Sequence, residues 1–346
     1  MIPYIVMLLV VIVCAIIESD YKSPKAKRQI FSIALLPVFV LIAFKSENVG
    51  MDTPNYIRMF EFINENGLQS GYEKFDAVER GYLTLNYLLT ALTSFSQIVF
   101  IALAVIVCVS LYRFISATAS NRSLALLFFI CLGFFQFSLS GTRQTIAICI
   151  LLWAYPFIKQ RKLVKFLLVV GLAMLFHKSA IIFAVTYFVA NMKLTQKNIA
   201  LMLGSMFVIF FAADKMLLSA AEVMEYNYGI EETGNGYIFF AIVLLITILC
   251  LQSRKVLLRI NPSNVILLNV NFISLALWVV RLISRTAERV SLYFMPYTYV
   301  ALEEYISSRP RRDYKLYRFA FILLASVLFI YRMNGQEDLC KYEFCF

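Results

Sequence analysis

Three arginines, Arg281, Arg285 and Arg289, recur at every fourth position of a largely apolar stretch. On one continuous helix that spacing sets them in a single stripe. Guanidinium forks match phosphate oxygens, so the stripe predicts an anion site, with Glu288 offsetting one charge. The plainer reading is a row of cytoplasmic anchors. Arg143, in Ser140-Gly141-Thr142-Arg143-Gln144, sits between two apolar blocks, either as an arginine snorkelling to the interface or as a fourth contact for the same anion. His177 is the only histidine of the chain. Its ordinary pKa suits proton transfer near neutrality, and Lys178 beside it is able to hold an anion; a hydrogen-bonded structural histidine at a helix bend is the plainer alternative.

Two carboxylates complete the candidates for proton transfer. Asp52 precedes Thr53-Pro54 and also reads as a turn or N-cap residue. Glu79 precedes Arg80-Gly81 and also reads as a charge on a helix N-terminus. Tyr56, Tyr72, Tyr82 and Tyr87 fall where an interfacial aromatic belt is expected, positions equally compatible with stacking on sugar rings. No ligand spacing suggests a metal.

The elements that must carry these residues are membrane spans. The 346 residues are 61% hydrophobic and only 15% charged, against roughly 25% charged in a soluble domain. Apolar blocks repeat along the whole chain between short charged segments, as a hydrocarbon layer of about 30 Å requires. The first block, Ile2 to Ile17, lacks a basic leader and a small-residue cleavage site and is read as a span. The net charge of +11 fits basic cytoplasmic loops, and no basic arm or RNA-binding signature points to nucleic acid. Cys340 and Cys345 lie in a polar tail, where an extracytoplasmic location would allow a small disulfide. The other cysteines sit in apolar blocks.

Counting Lys and Arg orients the chain. Basic segments at 22–28, 113–122, 159–165, 193–197, 254–259 and 309–318 are placed in the cytoplasm. The acidic stretch Glu47 to Glu79, with seven Asp and Glu, and Asp214 to Glu232, with five, are placed outside. Spans are then expected at 2–17, 30–44, 97–112, 124–138, 144–158, 166–176, 179–192, 199–213, 237–251, 264–280, 290–303 and 316–331. Residues 81–93 form a re-entrant or interfacial helix, and the short blocks around His177-Lys178 imply a bend within the outer half of the bilayer. The fold class is all-α: a polytopic transmembrane bundle of about twelve spans plus the re-entrant helix. It is a single integral domain over 1–346, with outer loops at 45–80 and 214–236 and a tail at 332–346.

Four motifs stand in order: Gly50-x-Asp52-x-x-x-Tyr56-x-x-x-Phe60, Glu79-x-Gly81-Tyr82, Arg143-Gln144 leading a span, and Ala173-x-x-x-His177-x-Ser179-Ala180. In order and spacing the set resembles the EpsG-like branch of the Wzy-type O-antigen and exopolysaccharide polymerases, over roughly residues 45 to 190. Beyond that stretch the likeness is only of hydropathy and outward arginines.

The resemblance implies an enzyme of the bacterial inner membrane that joins oligosaccharide repeat units carried on undecaprenyl pyrophosphate into O-antigen, capsule or exopolysaccharide. Its fold would be similar to the GT-C class of lipid-sugar glycosyltransferases. No cofactor is implied, because a sugar on a pyrophosphate is already activated; a flippase and a chain-length regulator are the implied partners. Under that reading Arg143, Arg281, Arg285, Arg289 and Lys178 hold pyrophosphate, His177, Asp52 and Glu79 are the candidates for proton transfer, and Tyr56, Tyr82 and Gln144 meet sugar. Two other classes stay open: a lipid-linked oligosaccharide flippase or transporter, and a membrane O-acyltransferase acting on surface sugars.

Overall fold

Runs of Leu, Ile, Val and Phe in hydrocarbon have no water to satisfy their peptide groups, so they must bond within themselves as helices. The computed structural model obeys this and describes residues 1–206, 208, 211 and 236–346. Among the described residues all regular structure is helical, with one isolated bridge between Lys45 and Phe344. The expected outer loop 214–236 lies outside the described residues except for Gly236, as does the end of the expected span 199–213.

The first half of the chain comprises α1 (Ile2–Asp20), α2 (Pro24–Ala43), α3 (Thr53–Lys74), α4 (Arg80–Thr90), α5 (Ile98–Thr118), α6 (Arg122–Cys131), α7 (Phe134–Ser140), α8 (Thr142–Leu152), α9 (Tyr155–Lys159) and α10 (Leu163–Met174). A 3-10 segment, Lys178–Ala184, leads into α11 (Val185–Val189), and residues 196–206 form α12. After the undescribed stretch come α13 (Tyr237–Gln252), α14 (Arg254–Ile260), α15 (Asn264–Arg281), α16 (Thr286–Ser291), α17 (Met295–Ser307), α18 (Arg311–Asn334) and the short α19 (Glu337–Cys340).

Five helices, α1, α2, α5, α15 and α18, are long and apolar enough to cross a membrane alone. The pairs α6–α7, bent by 56°, and α13–α14, bent by 70°, bring the number to seven. The expectation was twelve full spans. The difference lies in breakage: 144–158 is split at Trp153-Ala154, 166–176 is the 12-residue α10, 179–192 is a 3-10 segment with a five-residue helix, and 290–303 divides between α16 and α17. Twelve residues rise about 18 Å, so such pieces lean on neighbours. Breaks inside a bundle leave peptide groups that only protein can satisfy. At the α6–α7 break, the Tyr299 hydroxyl donates to the freed carbonyl of Leu132 at 2.8 Å.

The stretch 45–80, expected as an outer loop, is not an open loop. Most of it is α3, broken at Gly67, which packs along α4. The helix expected over 81–93 is α4, at Arg80–Thr90.

Hydrogen bonds define two opposite poles. The nineteen residues of α1 rise about 28 Å between them. At its start the Met1 amino group donates to Cys340 O at 3.0 Å, Ser46 N donates to Glu343 O, Gly50 N donates to Asp338 O, and Gln97 bonds Ala43 O. At its far end Glu18, fully buried, accepts from Ser123 N at 2.8 Å and faces Arg122 at 3.5 Å. Beside it Glu303 and Glu304 accept from the amides of Ser120 and Asn121, and Asn264 donates to Glu304. This knot ties α1, α6, α15 and α17 together. The basic segments at 22–28, 159–165, 254–259 and 309–318 all belong to the second pole. Cys340 and Cys345 are both unbridged; main-chain bonds from residues 338, 343 and 345 hold the tail instead.

Candidate functional site

At the pole away from the basic segments, α10 stops at Met174 and the 3-10 segment opens at Lys178, leaving His177 extended between them (φ −159°, ψ 112°). The expected bend is therefore there. The N-terminus of α4 is pressed against it: Gly81 N donates to Leu175 O at 2.9 Å, and a Cβ on Gly81 would lie 2.4 Å from that same oxygen. No side chain fits there.

This approach puts Glu79 at the centre. Its side chain does not cap α4. It crosses instead to the bend, where Oε1 lies 3.2 Å from His177 Nδ1 and accepts from Lys178 N at 3.0 Å, while Oε2 pairs with the Arg143 guanidinium. Glu79 is 6% exposed and His177 9%. Burial raises the Glu79 carboxyl, but the hydrogen bond from His177, the charge of Arg143 and the Lys178 amide outweigh it and bring it down to about 2. With Nδ1 turned to a carboxylate, Nε2 is the ring nitrogen on the side away from Glu79. A histidine, its orienting carboxylate and a cation thus share one buried contact, drawn from α4, α8 and the α10 bend.

The supporting residues are less as the spacing suggested. Tyr56 and Tyr82 are buried and pack edge to face at 5.5 Å, with the Tyr56 hydroxyl turned to Arg143. Neither ring face is open for a sugar to stack on; the pair forms the wall behind Arg143. Burial raises the Tyr56 hydroxyl, opposed by Arg143. Gln144, also buried, donates to Arg289 O at 2.7 Å and so ties α8 to α16 rather than facing a ligand. Ser179 Oγ and Tyr293 OH, 2.8 Å apart, lock the 3-10 segment to the chain between α16 and α17.

The arginine stripe does not exist as one helical face. α15 ends at Arg281, the chain turns through Leu282 to Arg285, and α16 begins at Thr286. Arg281 points inward, buried, with Nε 2.8 Å from Glu288 Oε2. Arg285 and Arg289 stay exposed. Arg281 is held inward by Glu288, and the break after Arg281 takes Arg285 and Arg289 off its helical face.

Asp52 stands at the N-cap of α3 without a side-chain cap bond, half-buried, its charge acting on Lys45 and Tyr56. Lys45 is the residue that type alone does not single out. It is fully buried, donating from Nζ to Thr53 Oγ1 at 2.7 Å, to Val49 O at 3.3 Å and to Leu139 O, with the Phe100 ring centre 4.4 Å away. Burial pushes its ammonium down to about 7 against the pull of Asp52. The available signal is its place: a lysine directly after an apolar block, at the pole opposite the basic segments.

The sequence model of the EpsG family matches residues 28–344. The chain belongs to the EpsG family. EpsG proteins are Wzy-like polymerases, and the EpsG match runs well past the motif-bearing stretch of roughly 45–190, through α13 to α18. It therefore takes in Arg281, Glu288 and Arg289 as well as Glu79, Arg143 and His177. No curated protein and no solved structure matches the chain.

Proposed function

We propose that this EpsG protein is a glycosyltransferase that joins undecaprenyl-pyrophosphate-linked oligosaccharide repeat units into a surface polysaccharide. The observation that carries the reading is one buried carboxylate, Glu79, shared by His177, Arg143 and the Lys178 amide at one pole of a membrane bundle. An acceptor hydroxyl attacks the anomeric carbon of the donor sugar, and its proton passes to His177 Nε2. The bond from that carbon to the pyrophosphate oxygen breaks, and the pyrophosphate leaves with the electron pair on its lipid. Glu79 orients the imidazole and stabilises its charged form. The exposed side chains of Lys178, Arg285 and Arg289, with Arg143 beneath them, oppose the charge on the leaving group. Tyr56, Tyr82 and Gln144 shape the site from behind, and Asp52 steadies the first turn of α3.

The basic pole faces the cytosol of a bacterial inner membrane by the positive-inside rule, which turns the Glu79–His177 pole outward. We read the five to seven apolar spans, with the broken helices between them, as a bundle of about twelve crossings similar to the GT-C class of lipid-sugar transferases. Purified protein in liposomes, supplied with lipid-linked repeats, should lengthen the glycan. Movement of the lipid-linked repeat across the bilayer without new glycosidic bonds would mark a transporter instead, and incorporation of labelled acyl groups an acyltransferase.

A further inference from the structure

Lys45 sits where burial works against its charge. It is fully enclosed just after α2, with its ammonium pushed down to about 7. A methionine would fill the same space without that penalty. What a methionine lacks is donors, and an ammonium has three. They meet Val49 O at 3.3 Å, Thr53 Oγ1 at 2.7 Å and Leu139 O, while Thr53 Oγ1 itself donates to Val49 O at 2.6 Å. The root of the side chain is held as firmly as its tip. Lys45 bridges to Phe344 in the tail, and Gln97, before α5, donates to Ala43 O at 2.6 Å and to Lys45 O at 3.2 Å.

Both ends of this pin lead to one side chain. Leu139 lies in the last turn of α7, where helix carbonyls run out of partners within the helix and where a cation suits the dipole. The chain then turns at Gly141, and Arg143 is the second residue of α8. Gly50 closes the same contact: its φ is +91°, and its bare Cα rests against Leu139 O where a Cβ would not fit. In the other direction Thr53 opens α3, and one turn on Tyr56 turns its hydroxyl to Arg143. The ammonium therefore fixes the start of α3 against the α7–α8 junction, and Arg143 is reached from both.

We propose that Lys45 is a positioning residue for Arg143, holding its guanidinium where it meets Glu79 and the leaving pyrophosphate. The role in transfer rests on the polymerase reading. The hold depends on charge, because a neutral amine has only two N–H donors for the three acceptors. Asp52, at the start of α3, favours the ammonium. From α5 it meets the Phe100 ring and from α7 the Leu139 carbonyl. α7 has no charged residue, α5 none before Arg113 and α2 none after Arg28. The tail brings Asp338 to Met51 N and Glu343 to Asn48, both on the turn that Lys45 pins.

The test follows glycan elongation by the full chain in lipid nanodiscs, supplied with lipid-linked repeats across a range of pH. Lys45→Met should lower kcat by about 10- to 100-fold, the effect of a misplaced group remote from the chemistry, with KM for the donor lipid little changed. Wild-type turnover should fall as pH rises past about 7, where Lys45 gives up its proton, and that alkaline limb should vanish in Lys45→Met. Added to Arg143→Gln, Lys45→Met should lower turnover no further, whereas independent sites add in free energy. A lysine that only stabilised the fold would leave the limb in place. If Lys45→Met elutes as aggregate, Thr53→Val, which removes one of the three acceptors, should show the same non-additivity with Arg143→Gln. Additive losses or a retained alkaline limb, in a protein that elongates, would overturn this inference and leave the polymerase standing. A wild type that forms no glycosidic bond would remove the polymerase reading, and thiol labelling then decides the placement. Arg143→Cys should react at least about tenfold faster when Lys45→Met loosens the junction around it, and an unchanged rate would overturn the positioning role.

Discussion

His177 is gripped through Nδ1 by a carboxylate that also answers to an arginine, so the histidine and its holder should fail differently when replaced. His177→Ala removes the proton acceptor and should slow transfer by about 100- to 10,000-fold with donor binding retained, read as turnover against lipid affinity. Glu79→Gln keeps the shape but loses the charge that sets the imidazole. It should cost as much as about 10,000-fold in turnover, the size found when the carboxylate behind a catalytic histidine is neutralised. It should also shift lipid affinity, where His177→Ala does not, because Arg143 loses the negative charge opposite it. Glu79 titrates at about 2, below its ordinary 4.5. A carboxyl lowered in the fold adds stability that is complete above the ordinary value and is lost as pH falls toward the lowered one. The melting-temperature gap between wild type and Glu79→Gln should therefore close as pH falls below about 4.5. A gap that stayed unchanged down to about pH 3 would show that Glu79 is not held in this way. At this scale the residue types were legible: one histidine, two isolated carboxylates and an arginine between blocks. What each touches was not, because Glu79 meets Arg143 and Lys178 across 64 and 99 positions, and no local period records such distances.

Two interruptions decide where the side chains go. The α15–α16 break parts Arg281 from Arg285 and Arg289, and a stripe inferred from four-residue spacing holds only while the helix continues. Sequence spacing carried no sign of the break, since Leu282-Ile283-Ser284 contains neither Gly nor Pro. The α10 bend was legible, because eleven apolar residues before His177 are too few to cross. The meeting of α4 with that bend depends on Gly81. Gly81→Ala would drive a methyl into Leu175 O, forcing the two apart at a cost of about 1–3 kcal/mol and withdrawing Glu79 from His177. Polymer should be lost while the protein remains inserted, read from glycan length and melting temperature together. Lys45→Met should loosen the 45–53 turn from Leu139, seen as faster thiol labelling of a cysteine placed at Met51.

Across the whole molecule the basic and the site poles are separated by the full length of α1. Cysteines placed at Met51 and Arg285 should react with an impermeant reagent from outside the cell, and cysteines at Arg161 and Arg259 only after the membrane is opened. Outward protection of position 285 would remove the pocket on which the polymerase reading depends. That the chain is a helical membrane bundle with its charges sorted by side was readable from hydropathy and Lys/Arg placement. The number of complete crossing helices was not, because hydropathy sees a block and not the kink inside it. The carboxylate knot of Glu18, Glu303 and Glu304 has a mechanical consequence. It clasps four helices at the basic end, while at the opposite end α10 stops short at its bend and α15 breaks from α16, so the molecule is built like a clothes-peg with its spring at one end. Bulky glycans would enter by a spreading of the jaws about that spring, and amide hydrogens at residues 118–124 should be among the slowest to exchange, whether or not substrate is present.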